Sequence, residues 1–167
     1  MLSAAAIDPV TDPAMDPERL KAANINPATG LATDYLNHYN EVAMMISSLS
    51  VAPDMAETVL DWRPLGYAAH FRITRFRERE LAVAAYAAAP DDVKVRFFSA
   101  RREVDLAIAE VQDLIEAQPK AAGRLSERAP QIFAAIARLS SVINGEGGPA
   151  SGPPMSGPKP AADSLFP

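Results

Sequence analysis

The sequence predicts an all-α protein, an antiparallel bundle of four main helices plus one short helix. Two observations predict this class. Alanine, the strongest helix former, supplies 32 of the 167 residues, whereas the larger hydrophobic residues number only 49. Apolar residues also recur every three or four positions through the middle of the chain, and prolines or glycines separate the periodic stretches. Long amphipathic stretches with short breaks favour antiparallel neighbours, as in a bundle.

The first main helix is predicted to begin near Thr33, a residue type that favours the N-cap, and to end near Leu49. Its apolar stripe consists of Tyr35, His38, Val42, Met45 and Leu49. Asp54–Leu60 can then form two turns of a short helix before Pro64 interrupts the chain. The stretch from Leu65 to Ala88 lacks proline and predicts one continuous helix of about 36 Å.

The most regular stripe of all predicts a helix over roughly Asp92–Gln118, with Asp91 as its N-cap. Pro119 ends this helix. A last helix is predicted to begin between Ser126 and Ala129, because Pro130 is tolerated only in a first turn. It should end at Asn144-Gly145, since glycine favours the position after a helix.

Composition divides the chain into three regions. Residues 1–30 contain three Asp-Pro pairs, and residues 145–167 contain five glycines and six prolines. Such segments bury too little apolar surface to offset the entropy lost on ordering, so both are predicted to be flexible tails. Residues 31–144 have the size of one domain. The final Ser-Leu-Phe-Pro is interpreted as an incidental terminus, with a docking motif as the alternative.

Charge and composition exclude several classes of function. The net charge of −5 gives no electrostatic reason to expect a nucleic acid or an anionic membrane as partner. Since cysteine is absent, disulfide scaffolds, thiol chemistry and cysteine-ligated metals are excluded. No apolar run reaches the roughly 18 residues of a membrane span, and the first residues do not resemble a secretory signal. The cytoplasm is therefore the expected compartment.

Few residues could act in catalysis, because the chain has only two histidines, His38 and His70. It contains no GxSxG, P-loop, GxGxxG or HExxH motif. We therefore predict a protein that is not an enzyme and has no resident cofactor, although composition does not rule out a small apolar ligand in an alanine-rich core. The alternative is a metal-binding bundle, in which inward-facing Glu and His ligate the ion. Its candidate ligands are His38, Glu41, His70 and Glu78.

Two short stretches around His70 resemble known families over about ten residues each. Ala69–Thr74 resembles the histidine segment of phosphotransfer domains, which are four-helix bundles, and this resemblance implies a phosphorylated His70. The family's Lys-Gly pair after the histidine is absent here. The stretch Trp62–His70 is similar to the start of the second main helix in DinB-like bundles. That resemblance implies metal binding through three histidines, of which this chain has two.

Arginine and tryptophan supply the candidate partner-binding residues, because both are enriched at interface hot spots. They are Trp62, Arg63, Arg72, Arg75 and Arg79. For the arginines a solvated face is the alternative, and for Trp62 the alternative is a plug over one end of the bundle. The leading hypothesis is a non-enzymatic bundle acting through protein–protein contacts, as an adaptor, regulator or assembly subunit. Its two long predicted helices could overhang and pair with a second copy, which predicts a homodimer.

Overall fold

A computed structural model describes residues 15–147 and confirms the all-α prediction. The seven α-helices of this part are α1 (Pro17–Ala22), α2 (Leu36–Ser48), α3 (Met55–Asp61), α4 (Tyr67–Ile73), α5 (Arg79–Ala88), α6 (Asp91–Ala117) and α7 (Ala129–Ile143). Two-residue strands, β1 (Ile25–Asn26) and β2 (Leu31–Ala32), form an antiparallel hairpin. Two 3₁₀ segments, Thr33–Tyr35 and Pro119–Arg128, lead into α2 and α7. None of the described helices is both long and apolar enough to cross a membrane.

The longest helix of the bundle is α6. Helices α7 and α3 pack against it, and α2 packs on α7. Helices α6 and α7 are antiparallel, as two ion pairs between them show. Glu103 on α6 pairs with Arg138 near the end of α7, while Glu110, two turns further along α6, pairs with Arg128 just before α7 begins. The core between the helices is filled by branched and aromatic side chains, including Tyr35, Ile46, Phe71, Phe97, Ile108, Ile115, Ile132 and Leu139.

The continuous helix predicted over Leu65–Ala88 is wrong, because the chain is broken between α4 and α5. Thr74 leaves the helix with an extended backbone, at φ −82° and ψ 163°. A continuous helix would place Glu78 on the same face as Phe71 and Leu81, both of which are buried. Burying an unpaired carboxylate in that face is costly. The break leaves Glu78 only partly covered and turns α5 so that Leu81 and Ala85 enter the core.

The flexible tail predicted over residues 1–30 is wrong for the half that the structure describes. Leu20 of α1 and Ile25 of β1 are buried in the core. The hydroxyl of Thr29 donates a 2.6 Å hydrogen bond to the carbonyl of Ile143, which ties the hairpin to the end of α7. Residues 1–14 and 148–167, including the final Ser-Leu-Phe-Pro, lie outside the described range.

The predicted helix starts are partly confirmed. Helix α7 begins at Ala129, within the predicted interval, and Pro130 stands in its first turn. Thr33, however, is not the N-cap of α2: it belongs to the preceding 3₁₀ turn, and its hydroxyl accepts a 3.4 Å hydrogen bond from the Asn24 amide. Asp91 is already the first residue of α6, after Pro90 at the N-cap. Pro90 enters this helix with an extended backbone, and no side chain caps the helix start.

Candidate functional site

The two histidines meet at one end of the bundle, where α2 and α4 approach each other. Their ring centroids are 6.2 Å apart. Aromatic rings surround them: Tyr35 packs edge-on to His70 at 5.4 Å, and Trp62 stacks on His38 at 4.8 Å. We call His38, His70, Tyr35 and Tyr39 the histidine–tyrosine cluster.

His38 holds the segment that follows α3. Its Nε2 donates a 2.7 Å hydrogen bond to the carbonyl of Arg63, and the indole Nε1 of Trp62 donates one of 3.3 Å to the carbonyl of His38. Gln112 of α6 fixes the same segment by donating to the carbonyls of Val59 and Trp62. The imidazole of His38 is therefore engaged in holding the chain.

His70 is enclosed, with only 5% of its surface exposed. Burial lowers its pKa from the ordinary value of 6.5, and the neighbouring His38 lowers it further. A backbone hydrogen bond with Asp34 and the negative charge of Asp34 act in the opposite direction. The neutral imidazole is thus the favoured form. A phosphorylated histidine must be reachable by a partner, so the buried ring does not support the phosphotransfer hypothesis.

A chain of buried hydroxyl groups links this cluster to α6. The Tyr35 hydroxyl donates to the carbonyl of Leu65 at 2.6 Å and lies 3.3 Å from the Tyr39 hydroxyl. Tyr39 in turn donates to Asp105 Oδ1 at 2.7 Å. Burial, together with the adjacent Tyr35 and Asp105, raises the pKa of Tyr39. Both tyrosines therefore stay protonated and serve as hydrogen-bond donors to groups of their own chain.

The four candidate metal ligands do not converge. Glu41 is exposed and lies on the opposite side of α2 from the core, in a groove of about 450 Å³ lined by Met44, Met45 and Met55. Glu78 lies in the break between α4 and α5. Within residues 15–147, no group of three or more His, Asp or Glu side chains is arranged to hold a metal ion. The structure therefore does not bring His38, Glu41, His70 and Glu78 together as one group of ligands.

The candidate partner-binding residues differ in accessibility. Trp62 is buried against His38 and Tyr39, which is the position of a plug over this end of the bundle. Arg63 is exposed, but its guanidinium donates to the carbonyls of Leu60 and Trp62. Arg72, Arg75 and Arg79 are exposed around the break between α4 and α5. Of these, the arginines alone keep the accessibility that a partner requires.

Sequence reasoning missed the outward face of α6. Val95, Phe98 and Leu106 are 68%, 54% and 58% exposed, and we call these three residues the outer stripe. The guanidinium of Arg101 lies 5.6 Å from the ring centroid of Phe98. The spacing of Phe98 from Val95 and Leu106 is the signal by which the sequence could have indicated this face. At 3.6 residues per turn, positions 95, 98 and 106 share one face.

Comparison with known proteins identifies no relative: no family model matches the chain, and no match was found among curated proteins or solved structures.

Proposed function

We propose that this protein is a non-enzymatic helical bundle that acts through protein–protein contacts. The observation that carries the proposal is that α6 has two apolar faces. One face holds the core residues Val104 and Ile108; the outer stripe lies on the other. At 100° per residue, Leu106 is turned by about 160° from both Val104 and Ile108.

A monomeric bundle requires only one apolar face on each helix, and the opposite face is normally polar. The outer stripe instead extends from Val95 to Leu106, about 16 Å along α6. Exposed apolar residues that gather on one face of a helix are typical of a contact site. Phe98 adds an aromatic ring and Arg102 lies on the same face, and both residue types are enriched where partners bind.

The histidine–tyrosine cluster supports the non-enzymatic part of the proposal. A general base or nucleophile needs a free atom within reach of a substrate. Here the Nε2 of His38 is bound to Arg63 and the hydroxyl of Tyr39 to Asp105. His70 is enclosed by aromatic rings. These contacts join α2 to the segment after α3 and to α6.

Site-specific photo-crosslinking in the source cell tests the proposal. A photoreactive amino acid would replace Phe98 or Leu106 in the full chain, and the matched control would carry it at Val51, which is 84% exposed outside α6. We expect defined protein adducts from both stripe positions and none from position 51. Adducts should disappear when Val95→Asp is added to the Leu106 probe. The absence of any protein adduct from the stripe would refute the proposal.

A further inference from the structure

We propose that the partner of the outer stripe is a second copy of this chain, whose α6 pairs antiparallel with the first and brings Arg102 against Asp113 of the second copy. This inference rests on the proposed function, because it names the occupant of the same face. It is carried by the distribution of charge along α6 and by the spacing of two particular residues.

Charge is segregated along α6 after its first turn, which carries Asp91 and Asp92. Residues 94–102 contain four basic side chains and no acidic one, whereas residues 103–117 contain five acidic side chains and no basic one. An antiparallel pair of identical helices places the basic half of each against the acidic half of the other. A parallel pair would place like charges together. Electrostatic complementarity therefore selects the antiparallel arrangement.

Most of these charges are already paired within the protomer. Arg96 pairs with Asp92, Arg101 with Asp105, and the carboxylates Glu103 and Glu110 pair with arginines at α7. Arg102 and Asp113 are both exposed and form no ion pair within residues 15–147. Each thus remains available to a second molecule.

The spacing of these two residues fixes a register. Arg102 and Asp113 lie eleven residues apart, which is three helical turns, so they share the face of the outer stripe. If Arg102 of each copy faces Asp113 of the other copy across a two-fold axis, that axis passes between residues 107 and 108. Leu106 of each copy then meets Ala109 of the other, and Phe98 meets Ala117. Large side chains therefore oppose small ones on both sides of the axis.

Such an interface is isologous, so every contact in it occurs twice. A single charge reversal then introduces two repulsive contacts, and reversal of both charges on one chain restores two attractive ones. This property makes the proposed pairing testable with a charge swap. The positions are exposed, so the substitutions leave the core of the protomer untouched.

Sedimentation of the full chain over a concentration series provides the test, with circular dichroism as a check that each variant is folded. We expect a reversible dimer for the natural sequence. Arg102→Glu and Asp113→Arg should each raise the dissociation constant by about tenfold or more. The double variant should return it to within about threefold of the original. Arg19→Glu, the same reversal at an exposed position of α1, is the matched control and should change nothing.

Three results would overturn the inference: a monomer at every concentration, a dimer insensitive to both reversals, or single-variant defects without rescue. The first result would also arise if another part of the chain covered the stripe. A monomer that still yields adducts with a different protein from Phe98 would leave the proposed function standing and remove only self-pairing. Adducts from neither kind of partner would remove both.

Discussion

The indole of Trp62 stacks on the imidazole of His38, with ring centroids 4.8 Å apart and planes inclined by 25°. The two residues are also joined through the backbone, because Trp62 donates to the carbonyl of His38 while His38 donates to the carbonyl of Arg63. This reciprocal contact holds the segment after α3 against α2. This segment leads directly into α4, which carries His70.

Replacing Trp62 by alanine should therefore destabilise the bundle strongly. Loss of a buried aromatic side chain leaves a cavity, and we expect the free energy of unfolding to fall by about 3–5 kcal/mol. Trp62→Phe retains most of the apolar contact and loses the indole donor, so its cost should be smaller. Urea unfolding followed by circular dichroism measures both. A loss below about 1 kcal/mol for the alanine variant would contradict the plug interpretation.

The hydroxyl of Tyr39 should contribute measurably to stability. Tyr39→Phe removes the donor to Asp105 and leaves that carboxylate without its tyrosine partner, so we expect a loss of about 1–3 kcal/mol. Tyr86→Phe is the matched control, because the Tyr86 hydroxyl has no hydrogen-bond partner among the described residues. Equal losses in the two variants would show that the hydroxyl chain to α6 is unimportant.

Protonation of His70 should destabilise the fold. Its pKa is lowered in the folded state by burial and by His38, so the unfolded chain binds the proton more readily. The contribution of His70 to stability therefore stays constant above about pH 6.5. It falls as the pH decreases from the pKa of His70 in the unfolded chain to its lower pKa in the folded protein. Unfolding free energies measured from pH 8 to pH 5 should show this decline. His70→Gln should reduce the slope, and an unchanged slope would argue that another group is responsible.

Gly30 should be indispensable for the hairpin. It has φ +70°, and a Cβ at this position would lie 2.5 Å from the carbonyl oxygen of Ala85. Gly30→Ala is expected to cost more than about 2 kcal/mol, since backbone must move in addition to the strain of a positive φ. Gly147→Ala is the matched control: its φ is +71°, but no atom lies within 4 Å of the added Cβ. Thermal unfolding should separate the two variants clearly.

The helical architecture could be predicted because its signal is local. The stripe of α6 and the proline in the first turn of α7 are visible in a few consecutive turns. The break at Thr74 had no proline or glycine to mark it; it depends on the cost of burying Glu78, which only the surrounding bundle determines. Similarly, Leu20 and Ile25 are too few to indicate a core segment, and they are buried because the hairpin folds onto α7.

The sequence could predict which residues form the candidate site, but not the contacts that they make. The sequence identified His38 and His70 as the only histidines, and the structure brings their rings together. Their partners could not be inferred, because His38 binds the backbone carbonyl of Arg63, and a carbonyl has no sequence signature. The separation of Glu41 and Glu78 from this end likewise depends on which side of each helix faces the core.

The hydrogen bond between Thr29 and Ile143 holds the two ends of the described chain near each other. It brings the first hairpin to the last turn of α7, and the carbonyl of Gly147 lies beside Arg96 near the start of α6. The first and last described segments therefore lie at the same end of the bundle, beside the start of α6. If two copies pair antiparallel along α6, these ends point in opposite directions. Fluorescent labels attached at residue 147 of each copy would then lie at opposite ends of the α6 pair.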